Sequence, residues 1–198
     1  MFASLPPVTR AIILANIAVF LLQQVAGNTS LALGALWPLW DPLFRAWQLV
    51  TYSFLHEGFA HIFFNMFALF MFGRPLEQFW GSRRFGIYYL VCVLSAGATE
   101  LVVQNATRVG GPVIGASGGV FGLLLAFAWY FPRQRLLLLF PPIPMPAWLF
   151  VTLYGALELV LGVTGAQAGV AHFAHLGGML GGALSIQYWR MRGRFSGH

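Results

Sequence analysis

Long apolar runs alternate along this chain with short stretches of Gly, Pro and charge. The runs cover about 9–27, 57–78, 84–106, 115–131, 146–164 and 169–189, each close to the ~20 residues a helix needs to cross a bilayer. The pattern predicts an all-α, polytopic bundle of six transmembrane helices, one membrane domain over residues 1–198 with no room for a separate soluble domain. Residues 28–55 break the rhythm, being too polar and too rich in Pro and Trp to cross. Leu31, Leu33, Leu36, Trp37, Trp40, Leu43, Phe44 and Trp47 nevertheless give this stretch an apolar side with indoles suited to headgroup depth. We expect an interfacial first loop. The run Pro141-Pro142-Ile143-Pro144-Met145-Pro146 cannot be helix interior, because proline lacks a donor and clashes with the preceding turn. It predicts a cytoplasmic linker.

Composition supports this picture: 59% of residues are hydrophobic, 8% are charged and mean hydropathy is +0.75, the balance of an integral membrane protein. All 11 basic residues are Arg. They are dispersed rather than clustered on one polar surface, so the pI of about 10.3 does not point to nucleic acid. With the N-terminus cytoplasmic, Arg10, Arg74, Arg83, Arg84, Arg133, Arg135, Arg190, Arg192 and Arg194 lie inside and only Arg45 and Arg108 outside. The positive-inside rule favours that orientation, with both termini cytoplasmic. The run after Arg10 could be a secretory signal, but Gln23-Gln24 and the lack of a following soluble domain favour a first span. Cys92, mid-way along an apolar run, reads as a small core residue.

Orientation gives the polar residues a common depth. The second, fourth and sixth runs all enter from outside, and their beginnings carry His61 and Asn65, Ser117, and His175, within roughly 3–12 Å of the helix ends. Polar groups at that depth are costly unless they pair or meet water. A serine in a membrane helix is most often a packing residue, yet Gly115, Gly118, Gly119 and Gly122 around Ser117 allow close approach and put it at a helix N-terminus that favours a developing anion. Gly178 and Gly182 follow His175 on its own helix face. Packed against Gly118 and Gly122, they would bring His175 to Ser117, with His172 one turn nearer water. His61 and Asn65, four apart on one face, either satisfy each other or donate to an oxyanion together with the Ser117 N–H. His56 precedes the span and is expected at the interface. Neither Glu158 nor Glu100 is compelling as a partner for His175, so the expectation is a Ser–His dyad.

These residues carry a resemblance. His61-Ile62-Phe63-Phe64-Asn65, Gly115-Ala116-Ser117-Gly118, and Ala174-His175 with Gly178 and Gly182 together resemble the rhomboid intramembrane serine proteases of the bacterial six-span type, over nearly the whole chain. The resemblance implies Ser117 as nucleophile, His175 as general base and then acid, and His61 and Asn65 as oxyanion stabilisers. It also implies that 28–55 is the family's membrane-embedded first loop, that Glu77 is a structural glutamate at the inner end of the second span, and that substrates enter past the fifth span. The implied activity is cleavage of transmembrane segments, in single-span or other membrane proteins, near the extracytoplasmic side. No cofactor, metal or nucleic acid is implied; the partners are transmembrane substrates and the lipid bilayer, in a bacterial cytoplasmic membrane. Two departures stand out. Trp47-Gln48 occupies the place of a Trp-Arg pair, and Phe121 stands where some relatives have Tyr against the catalytic imidazole.

Other readings compete. Gly115 to Gly119 fits the G-x-S-x-G elbow of α/β-hydrolases, which needs a parallel sheet that this hydropathy opposes. His172 and His175 could be half of a zinc site with His56 and His61, although no carboxylate or cysteine completes the set in sequence. A rhomboid-like fold could also bind transmembrane clients without cutting them.

Overall fold

The computed structural model describes residues 5–137, 143–166 and 169–193. Its elements are α1 (Pro7–Ala26), α2 (Asn28–Gly34), α3 (Gln48–Thr51), α4 (Phe59–Ala68), α5 (Arg74–Trp80), α6 (Ser82–Thr107), α7 (Ser117–Tyr130), β1 (Arg135–Leu137), β2 (Pro144–Pro146), α8 (Ala147–Thr164) and α9 (His172–Met191). This is an all-α membrane helix bundle. Among the described residues, four stretches are long and apolar enough to cross a membrane: Pro7–Ala26, Phe59–Trp80, Ser82–Thr107 and Ala147–Thr164. Helix α7 is apolar but only 14 residues long, and α9 is long enough but diluted by Gly and His.

The outside of the bundle is greasy. Leu21, Leu22 and Val25 on α1 and Leu153, Val160 and Val163 on α8 are exposed, an arrangement that only a lipid surround stabilises. Between α4 and α5 the helix widens into π form at Leu69–Gly73. Pro75, at the start of α5, has no N–H to return to the preceding turn, and the hydrogen-bond ladder slips there. The proline-rich linker forms more than a tether: β2 pairs antiparallel with β1, Leu136 opposite Met145. Prolines tolerate this because both strands are edges. Pro141 and Pro142 of the linker, and Arg194, lie outside the described residues.

Helix α9 is the hub, packed mainly on α6 and α7. A methyl on Gly178 would overlap the Gly118 carbonyl, so only glycine lets α9 and α7 lie this close. Gly182 does not meet α7 as the spacing suggested; a methyl there would overlap the Tyr88 hydroxyl of α6. Tyr88 fills that level because its hydroxyl donates to the Gly122 carbonyl at 2.7 Å, wedging between α7 and α9. Cys92 is fully buried and packs where a methyl on Gly122 would fall.

Two buried polar groups hold the periphery. Glu77 accepts from the backbone N–H groups of Val8 (2.9 Å) and Thr9 (2.7 Å) and from the hydroxyls of Thr9 (2.7 Å) and Ser82 (2.7 Å). It satisfies orphan donors of the first turn of α1, where a negative charge also complements the helix dipole. In the first loop, Gln48 is completely buried. Its Oε1 accepts from Arg45 N (3.0 Å) and Trp37 N (3.4 Å), and its Nε2 donates to the Leu43 carbonyl (2.9 Å). The neutral amide thus gathers the loop around itself. Arg45 does not substitute in that role; its side chain is turned to the Pro42 and Phe44 carbonyls at the exposed edge.

Candidate active site

Helix α7 begins at Ser117, so the serine stands where the backbone N–H groups have no intrahelical acceptor. The close seat of α9 brings His175 to it. Ser117 Oγ and His175 Nε2 are 2.8 Å apart, a hydrogen bond between residues 58 positions apart in sequence. Phe121, one turn after the serine, stacks on the His175 ring with centroids 4.2 Å apart and planes 7° from parallel. Tyr154 of α8 stacks on the other face of Phe121 at 5.3 Å. The imidazole is held in plane by packing alone on that side, since Phe121 offers no hydrogen bond.

Gly115 has φ +124°, and a methyl there would sit 2.8 Å from His61 Nε2 and 3.6 Å from Ser117 Oγ. His61 and Ser117 therefore flank one point, kept open by the missing side chain. The Nδ1 of His61 accepts from Glu57 N at 3.4 Å, which leaves the proton on Nε2, facing that point. Asn65 Nδ2 donates at 3.0 Å to the backbone carbonyl of His61, not to its ring. Both residues line the same cleft of about 670 Å³ as Ser117, His175, Phe121 and Tyr154. All four residues picked out in sequence thus border one cavity.

Two expectations are corrected. His175 does have a carboxylate: Glu158 Oε2 lies 2.9 Å from its Nδ1 and 2.6 Å from Nδ1 of His172. Glu158 lies in α8 and the two histidines open α9, so residues 14 and 17 apart in sequence meet between the two helices. The signal was present in sequence, because an acid inside an apolar span marks a functional site by default. The same cluster supplies the carboxylate missing from the zinc reading: ligand atoms of Glu158, His172 and His175 lie within 4.8 Å of one another. Two donors on one tetrahedral zinc stand about 3.3 Å apart. The 2.6 Å between Glu158 and His172 is a direct hydrogen bond instead. Neither His56 nor His61 belongs to that group among the described residues.

His56, expected at the membrane interface, is enclosed by the protein. It is fully buried, because Gln23 of α1 binds its main chain on both sides, donating to its carbonyl at 2.9 Å and accepting from its N–H at 3.1 Å. Its ring meets the His61 ring edge-on at 4.9 Å. Burial first, then the neighbouring His61, pushes its imidazole down to about 4. Glu100, in the Ser82–Thr107 span, accepts from Ala174 N (3.1 Å) and Gln104 Nε2 (3.3 Å), anchoring the first turn of α9.

The family follows from comparison with known proteins. Residues 43–192 match the model of the rhomboid domain, and the chain belongs to the rhomboid family. It is 31% identical over 146 residues to rhomboid protein 1, mitochondrial, of Saccharomyces cerevisiae, covering 69% of this chain and 40% of that protein. It is 32% identical over 125 residues to the rhomboid protease GlpG of Klebsiella pneumoniae, covering 62% of this chain and 43% of the relative. Rhomboid-related protein 3 of Homo sapiens is 37% identical over 90 residues, 44% of this chain and 21% of that protein. The chain thus spans less than half the length of these relatives.

Proposed function

We propose that this chain is an intramembrane serine endopeptidase that cuts transmembrane segments of membrane proteins near the extracytoplasmic side. The observation that carries the reading is the 2.8 Å contact between Ser117 Oγ and His175 Nε2 at the wall of a cleft. Within hydrogen-bond reach, His175 takes the Ser117 proton as Oγ attacks a peptide carbonyl, and returns it to the leaving amine. Negative charge on the carbonyl oxygen is met by the Ser117 N–H and by His61 Nε2–H, with Asn65 beside them, groups fixed before the reaction begins. Water from the cleft then releases the acyl-enzyme.

A helical substrate hides its carbonyls in its own hydrogen bonds, so it must unwind at the cut, and small or helix-weakening residues there favour cleavage. Residues 1–198 act as one membrane domain with six spans, the termini and most arginines on the cytoplasmic side of a bacterial inner membrane. The partners are transmembrane substrates and the lipid bilayer.

The test is fluorophosphonate labelling of the detergent-purified protein, with cleavage of a model single-span substrate alongside. Wild type should label and cleave, Ser117→Ala and His175→Ala should do neither, and a chelator should change nothing. A folded wild type that does neither would sink the protease reading in favour of client binding; chelator-sensitive cleavage that survives Ser117→Ala would favour the metal site.

A further inference from the structure

The carboxylate of Glu158 is shared between two imidazoles in a place where sharing has consequences for the base. We propose that Glu158 is the positioning residue for His175, fixing its tautomer and ring orientation, and that His172 competes for the same oxygen. This rests on the reading of Ser117 and His175 given above.

A carboxylate only accepts hydrogen bonds, so an Oε2 placed 2.6 Å from His172 Nδ1 and 2.9 Å from His175 Nδ1 holds both rings as Nδ1–H tautomers. For His175 that choice matters: with the proton on Nδ1, the lone pair of Nε2 faces the Ser117 hydroxyl 2.8 Å away, the only neutral form able to accept its proton. When the proton arrives, the imidazolium finds an anion already beside it. The side chains are shielded from solvent, Glu158 at 6%, His172 at 5% and His175 at 11% exposure, so water does not readily replace the contact.

His172 is tied to the same atom by the shorter bond, and its Nε2 is buried with no hydrogen-bond partner among the described residues. Among the described residues the one polar partner of its ring is therefore Glu158, and it holds the carboxylate between α8 and the first turn of α9. The same ring draws on the lone pairs that His175 needs. Glu158 is thus anchored by one histidine so as to orient the other.

The test uses the full-length protein and the variants Glu158→Gln and Glu158→Asp. We expect Glu158→Gln to lower kcat by about 10²–10⁴-fold with KM within about twofold, and Glu158→Asp to recover most of that loss. Histidine ¹⁵N NMR, assigned by His175→Ala, should find His175 as the Nδ1–H tautomer in wild type and as Nε2–H or a mixture in Glu158→Gln. A wild-type His175 carrying its proton on Nε2, or a folded Glu158→Gln that cleaves at the wild-type rate, would overturn the assignment. Should Glu158→Gln not fold, the wild-type tautomer and Glu158→Asp kinetics still decide it. A wild type that shows the Nδ1–H tautomer but neither labels nor cleaves would end the protease reading while leaving the role of Glu158 in orienting His175 intact.

Discussion

Replacing Gly178 with Ala places a methyl where the Gly118 carbonyl now lies. Non-bonded heavy atoms rest about 3.5–4.0 Å apart, so α9 and α7 must separate by about 1 Å or more to admit it. A displacement of that size carries the 2.8 Å bond between Ser117 and His175 beyond the ~3.2 Å limit of useful proton transfer. Misplacing reacting groups by about 1 Å costs on the order of 10²-fold in rate. Overpacking adds about 1–3 kcal/mol of destabilisation, a drop in Tm of about 2–12 °C for a chain of this size. Gly86→Ala is the matched control: its methyl would meet only Val8 Cγ1 at 3.6 Å, an ordinary contact in the second turn of α6. That variant should gain about 0.4–1 kcal/mol and keep full fluorophosphonate labelling. Both are measured by thermal unfolding in detergent and by initial rates on a single-span substrate. Wild-type rate and Tm in Gly178→Ala would refute the claim that glycine packing sets the distance between serine and histidine.

Three further outcomes follow from buried polar groups. Glu77→Ala leaves the Val8 and Thr9 N–H groups without their acceptor and should cost about 2 kcal/mol or more in unfolding free energy, with amide exchange faster at the start of α1 than elsewhere. Gln48→Leu, close in size but apolar, strands Arg45 N and the Leu43 carbonyl; about 1–3 kcal/mol should be lost locally, seen as protease cutting within 35–50 before global unfolding. For His56, the unfolded chain takes up a proton below about 6.5 while the folded one resists until about 4, so stability should fall as pH drops through that window. His56→Gln should flatten the slope of Tm against pH there; an unchanged slope would remove His56 from the account.

Hydropathy made the fold class legible because lipid permits few ways of satisfying a backbone, and long apolar runs leave helices as the economical one. Ser117, His175, His61 and Asn65 were found by their depth at the entrances of alternate runs, and they do border one cleft. Glu158 was visible but not decisive, since its partners depend on how α8 is rotated against α9, and an apolar helix has little periodicity from which to read that rotation. The part Gln48 plays was not legible, because residue type marked only a departure from a Trp-Arg pair, whereas its amide satisfies several carbonyls and N–H groups at once without a charge to bury. The pairing of β1 with β2 was hidden by prolines that read only as helix breakers.

Glu77 also sets an order of events in time. The N–H groups it serves belong to residues 68 and 69 positions earlier in the chain. At the ~5–20 residues per second of translation, α1 waits about 3–14 s before its acceptor has even been made. During that interval its first turn depends on water and headgroups at the membrane surface. Ser82, the next residue the carboxylate holds, comes five positions later and opens α6. The first turn of α1 therefore gains its acceptor only when the second span is complete and the third has begun, after Gln23 at the other end of the helix has already met the main chain of His56.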